Sequence, residues 1–150
     1  MYDLSYGSHP ERLDDLLDGL SPEQRQRVRL LDATENESVE ERSVDRFPHT
    51  SEGTLGWDGA DVLRQERVHT VLDAAQSLVA WLDDHVSPDS ELVVLWGNYV
   101  VPSLALPTSV LVTHVDEVLV TSSDVWIYAE REKLLFEYFH GGRLTLAKVA

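Results

Sequence analysis

The sequence contains no cysteine, which excludes disulfides, thiolate metal sites and a cysteine nucleophile, and is compatible with a reducing compartment. Lysine is nearly absent, with two in the chain. The 12 Lys and Arg stand against 27 Asp and Glu, a formal net charge of −15. Binding to a phosphate backbone replaces counterions with protein cations, so no nucleic-acid partner is expected. The longest apolar runs, such as Leu92–Trp96, fall far short of the roughly 20 residues a spanning helix requires, so no membrane partner is expected either. The opening MYDLSYGSHPERLDD lacks a basic start followed by an apolar run, so no secretory signal is read and the expected location is cytoplasmic. Also missing are the G-x-S-x-G elbow, the phosphate-cradling G-x-x-x-x-G-K-[ST] loop and G-x-G-x-x-G. None of the six histidines forms an H-x-x-x-H or H-E-x-x-H pair, so neither metal nor cofactor is expected.

What is present has the size and balance of one globular domain: 150 residues, 43% hydrophobic and 26% charged, enough for a single core but not for separate cofactor and substrate modules. The charge is uneven. Residues 1–90 hold 20 acids and 8 bases, and residues 91–150 hold 7 acids and 4 bases. Opposite net charge speeds encounter, so the excess fits a basic protein partner; solubility or adaptation to high salt would produce it too.

The first half reads as helical. Pro10 opens a helix with Leu13, Leu16, Leu17 and Leu20 on one side, ending near Gly19. Ser21-Pro22-Glu23-Gln24 has the form of a capping box, with Val28, Leu30 and Leu31 supplying an apolar side. Residues 1–9 are expected to be loosely ordered. Residues 34–60 lack apolar periodicity and read as a long acidic loop, with room for a short helical piece. Asp61 then caps the strongest helical pattern, Val62 to Leu82, expected to run over 61–86 and stop before Ser87-Pro88. From Glu91 the pattern turns strand-like: ELVVLW, YVVPSLAL, VLVTS, VWIYAE, LLFEYFH and RLTLAKV. Glu130-Arg131-Glu132-Lys133 and Gly141-Gly142 supply turns, the second as a two-residue hairpin loop. Pro102 marks its segment as an edge or a bulge, and Pro107-Thr108-Ser109 opens a helical turn. The expected fold is a single α+β domain over 1–150: N-terminal helices, then one long helix packed on a C-terminal antiparallel β-sheet.

Few residues carry chemistry. His69 and Asp73 fall four apart, where a carboxylate can orient an imidazole as a base or simply pair with it on a helix surface. His140, beside Asp124 or Glu137, would serve a small hydrolase-type enzyme if a deep polar pocket between helix and sheet enclosed it.

Three ordered landmarks, LVVLWGNYVVP, HVDEVLVTSSDVWIY and LLFEYFHGGRLTLA, resemble a family of small immunity proteins from bacterial contact-dependent growth inhibition systems. They match that family's strand ending in Trp before a turn and Pro, its D-V…D-x-W-hydrophobic segment, and its E-x-Y/F-H-x-G-x-hydrophobic hairpin. The likeness covers about residues 91–147. FPHTSEGTLGWDGA at 47–60 resembles the aromatic-Gly-Trp segment that precedes the family's long helix, while residues 1–46 carry no likeness. Gly141 stands where the family often has Glu, which removes any acidic contact from that turn. The resemblance implies a cytoplasmic binder, without a reaction of its own, that neutralises a cognate toxin C-terminal domain, often a nuclease and therefore basic. It does not imply contact residues. Those we read from charge: Glu35, Glu37, Glu40, Glu41 and Asp45 in the loop, with Asp58, Asp61 and an apolar anchor, Trp57. Trp126 is assigned to the core. A regulatory protein-interaction domain would need the same kind of surface.

Overall fold

The computed structural model describes residues 5–150. Of the start expected to be loosely ordered, residues 1–4 lie outside the described residues. Beyond them the chain is tied down: Gly7 N–H donates to Tyr99 O (3.1 Å), His9 N–H donates to Val100 O (2.9 Å), and the Tyr6 hydroxyl donates to Leu31 O at 2.9 Å. A 3-10 turn, Pro10–Leu13, runs into α1, Asp14–Asp18, and buries Leu13 and Leu16. Ser21 caps α2, Pro22–Gln26, with the reciprocal bonds to Gln24 of a capping box. The helix stops earlier than its apolar side suggested, and Leu30 lies instead in a short strand, β1, Arg29–Leu30.

The long loop expected over 34–60 is corrected by the structure, because its first third is helical. α3 spans Ala33–Arg42 and is closed at its start by a second capping box, Asp32 with Glu35. The cap is legible in the sequence, but only Asn36 and Val39 of α3 are buried, so no apolar stripe announces the helix. A 3-10 turn, Val44–Arg46, follows. The chain then passes through turns and bends, with one isolated bridge between His49 and Leu55.

A second correction concerns the helix expected from Asp61. Residues 62–67 form a strand, β2, Val62–Arg67, paired with the C-terminal strand β7, Arg143–Lys148. The helix, α4, begins at Val71 and runs to His85, capped by the Thr70 hydroxyl, which accepts from Asp73 N–H at 3.0 Å. Val62, Leu63 and Val68 fit a helical period by coincidence; the run Arg64-Gln65-Glu66-Arg67 has no buried face, and every residue from Leu63 to Arg67 is exposed. Pairing with β7 decides the matter, since β7 would otherwise be the open edge of the sheet.

The remaining elements are β3 (Glu91–Trp96), β4 (Leu104–Pro107), α5 (Thr108–Leu111), α6 (Val115–Val120), β5 (Val125–Ala129) and β6 (Leu134–Phe139). VLVTS, expected as a strand, belongs mainly to α6, because Val115, Val118 and Leu119 fall at helical spacing and are all buried. Pro102 precedes β4, which lies one strand in from the edge, with β1 covering it.

All seven strands are antiparallel neighbours in the order β1-β4-β3-β5-β6-β7-β2. Alternation along the strands feeds two cores, because both faces of the sheet are covered. Leu92, Val94, Ile127, Phe136 and Leu146 meet Ala74, Leu78, Trp81 and Leu82 of α4 together with α6 and Leu13. On the opposite face, Leu95, Tyr128 and Leu135 meet Val39, Val44, Phe47 and Leu55. A fully buried Leu contributes about 1.5–3 kcal/mol, so α4 holds its place through packing.

The β6–β7 connection has three residues rather than two: Phe139 pairs with Arg143, and Gly142 takes φ +92°. There a Cβ would lie 2.7 Å from Val68 O, and Gly142 O accepts from Val68 N–H at 2.8 Å. Glycine thus lets the hairpin dock against the end of β2.

Candidate functional site

α3 and the turn after it gather part of the acidic set and disperse the rest. Glu37 and Glu41, four apart, are both exposed on α3, and like charges at that spacing repel. Glu40 is half-buried. Its Oε1 accepts from Asn36 Nδ2 at 2.7 Å. Burial raises the Glu40 carboxyl above the usual carboxylate range, and the charge of Asp45 pushes the same way. Among the described residues, no ion pair involves Glu37, Glu40 or Glu41. The nearby cations are turned elsewhere: Arg42 pairs with Glu130, and Arg46 donates through Nε to Glu41 O at 3.2 Å. Glu40 and Glu41 also sit in the last turn of their helix, where the macrodipole is negative and disfavours acids.

The other sequence-predicted residues do different work. Glu35 completes the α3 capping box and pairs with Arg29. Asp45 lies 3.8 Å from His49 Nε2. Asp58 and Asp61 line a separate recess of about 510 Å3 shared with Arg46 and Lys148, where Asp61 approaches Lys148 Nζ at 3.9 Å. The charge of Asp61 is locally offset; Asp58 makes no ion pair among the described residues.

Trp57 is half-buried against Phe47, with ring centroids 5.0 Å apart, and its Nε1–H donates to Glu137 Oε1 at 3.2 Å. Glu137 is the residue that the charge reading passed over. It is 1% exposed, on the register of β6 that faces the second core. It also accepts from Thr54 Oγ1 (2.6 Å), Leu55 N–H (2.9 Å) and Trp126 Nε1 (2.9 Å), with Arg143 Nη2 3.8 Å away. Four donors converging on one buried carboxylate fasten the 54–57 segment to the sheet. The signal was an acid inside the apolar run LLFEYFH. Trp126, expected in the core, is half-buried and packs against the second core.

A recess of about 200 Å3 opens between α3 and the 97–103 connection of β3 and β4. Its lining includes Tyr6, Asn36, Glu40, Tyr99, Ser103 and Trp126. The polar groups at its base satisfy one another: Ser103 Oγ donates to Asn36 Oδ1, and Ser103 N–H donates to the Tyr6 oxygen at 2.8 Å.

The histidines do not assemble into a buried dyad. His69 is exposed in the connection before α4 rather than on the helix beside Asp73. His140 Nδ1 lies 2.9 Å from Asp124 Oδ1 with the imidazole 53% exposed, and the same oxygen accepts from His140 N–H. That double contact joins the β6–β7 hairpin to the start of β5. Among the described residues, no group of three or more His, Cys, Asp or Glu is placed to hold a metal ion, and no helix is long and apolar enough to cross a membrane.

Comparison with known proteins places this geometry in context. The protein-family description CdiI immunity protein EcoliA0-like matches residues 15–147, which takes in all but the edges of the first helix and the last strand. No curated protein matches the chain.

Proposed function

The chain belongs to the CdiI immunity protein family, EcoliA0-like, and from that premise we propose that it neutralises its cognate toxin by presenting an acidic face, centred on α3, to a basic toxin domain. Membership makes it an immunity protein, a toxin inhibitor of bacterial contact-dependent growth inhibition, and gives it a cognate toxin protein as its partner. The observation that carries the finer reading is the unpaired state of Glu37, Glu40 and Glu41 on a helix whose own stability they oppose. Residues that break a local rule without a cation to offset them in the free protein support the reading of a functional surface.

A basic toxin fits that face in a simple way. A nuclease must attract phosphate, so its active groove is positive, and carboxylates held on one helix occupy the same field while steering the encounter. Covering the groove is enough; no bond need be made or broken by the immunity protein. Glu35, Asp61 and Trp57, each committed to contacts within the chain, and Asp58 in the recess beside Asp61, then form the margin of the docking surface rather than its centre.

Co-expression of the chain with the toxin domain encoded beside it tests this. The expected result is restored growth and a stable complex that survives purification. Restored growth that is lost on combined substitution Glu37→Lys, Glu41→Lys, with the fold retained by circular dichroism, supports the α3 face. Restored growth unaffected by those changes refutes it.

A further inference from the structure

We propose that the recess between α3 and the 97–103 connection is a socket for one arginine side chain of the cognate toxin. This rests on the immunity reading and names the chemistry of one contact within it.

Size comes first. At about 200 Å3 the recess is several times the roughly 30 Å3 of a water molecule but below the 300–1,000 Å3 typical of small-molecule pockets. It suits a single side chain.

Chemistry then narrows the occupant. Most donors at the base are engaged: Asn36 Nδ2 gives one of its two N–H groups to Glu40 Oε1, Ser103 Oγ donates to Asn36 Oδ1, and the Tyr6 hydroxyl donates to Leu31 O. His49, also on the lining, is directed to Asp45. The charged group left open is the second carboxylate oxygen of Glu40, since only Oε1 accepts from Asn36. A socket with a free anionic acceptor takes a group that only donates, which leaves arginine and lysine.

The walls select between them. Tyr6, Tyr99 and Trp126 all line the recess. Tyr6 and Tyr99 lie edge-to-face at 5.4 Å, and Tyr99 is 58% exposed at the rim. A planar guanidinium stacks on such rings and grips a carboxylate through two N–H groups, where an ammonium offers a single, strongly hydrated point charge. Glu40 is half-buried and makes no ion pair with a Lys or Arg among the described residues; the incoming arginine supplies one.

The test is a titration of the toxin domain encoded beside this chain, by calorimetry, against wild type, Glu40→Gln and the control Asp83→Asn on the exposed far end of α4. The expected result is a Kd about tenfold or more weaker for Glu40→Gln, with its melting midpoint unchanged or higher, and a Kd within about twofold of wild type for the control. Replacing the toxin's arginines one at a time then identifies a single Arg→Ala whose loss is no longer felt in the Glu40→Gln background, and Arg→Lys at that position costs nearly as much as Arg→Ala. Wild-type affinity for Glu40→Gln while growth rescue persists overturns the socket and leaves the immunity reading standing. Coupling to a lysine in place of an arginine overturns the choice of occupant. Absence of both complex and rescue for the wild type overturns both readings.

Discussion

Removing the Glu137 carboxylate should loosen one identifiable part of the molecule. In the folded protein it accepts four hydrogen bonds, from Thr54 Oγ1, Leu55 N–H, Trp57 Nε1 and Trp126 Nε1, and is 1% exposed. The donors are not equal when it is lost. The two indoles are half-buried and can turn to water, and Thr54 Oγ1 still accepts from Arg143 Nη2. Leu55 N–H, in a residue 1% exposed, has no such recourse, and an unpaired buried donor costs about 1–3 kcal/mol. Arg143 also loses the carboxylate 3.8 Å away. Breaking a buried ionic cluster from one side costs about 3–5 kcal/mol, so Glu137→Ala should lose about 3–4 kcal/mol. Glu137→Gln should lose about 2 kcal/mol, because its amide turns a donor toward donors. At this size that corresponds to roughly 6–15 °C in melting temperature for the alanine variant. Urea unfolding followed by tryptophan fluorescence gives the totals, and amide exchange at Leu55 reports the local opening. If both variants stay within about 0.5 kcal/mol of wild type, or Leu55 exchange is unchanged in Glu137→Ala, the buried carboxylate is not what holds this segment.

Further expectations follow from the corrected helix start, the docked hairpin and the titrating groups. Thr70→Ala should cost about 1 kcal/mol by loss of the α4 cap, whereas Asp61→Ala should leave α4 unaffected; equal effects in chemical denaturation would restore a helix beginning at Asp61. Gly142→Ala should cost more than Gly53→Ala, about 2–3 kcal/mol against about 1, since both have positive φ but only Gly142 would place a Cβ against a carbonyl, with open space around Gly53. Because the Glu40 carboxyl is raised by folding, its contribution to stability is present below its unfolded pKa and fades as pH rises through the folded value. The Glu40→Gln melting midpoint should therefore match or exceed wild type at pH 7, and the difference should shrink toward pH 4. Burial likewise raises Tyr6 and Tyr128, and the stability tied to their neutral phenols should fall as pH climbs past about 10.

The parts of the fold that were legible in the sequence are those in which one local rule decides the outcome. β5, β6 and β7 alternate between two buried faces and are joined by turns of polar or glycine residues, so their positions could be read directly. Where two rules compete, reading failed. β2 has residues at helical spacing, and only its pairing with β7, more than 75 positions away in the chain, settles its conformation. α3 has a capping box but no apolar stripe, and its helicity rests on the cap and on Asn36 and Val39 meeting the sheet. VLVTS satisfies both periods, and burial of Val115 and Val118 selects the helix. The acidic surface was legible as charge and illegible as geometry. Sequence cannot say that Arg29 neutralises Glu35, that Lys148 approaches Asp61, or that Trp57 is pinned by Glu137. Those pairings form between elements, and they leave Glu37, Glu40 and Glu41 as the unneutralised acids of α3.

The central claim is that these acids draw in the toxin, and the association rate measures it most directly. Stopped-flow mixing with the toxin domain, at ionic strengths from 20 mM upward, should show a wild-type rate that falls steeply with salt. Glu37→Gln, Glu40→Gln and Glu41→Gln together should lower that rate by about tenfold or more at low salt, and the difference should fade as the Debye length contracts to about 8 Å near 0.15 M. A triple variant that associates at the wild-type rate at low salt, with the same salt dependence, would contradict the account.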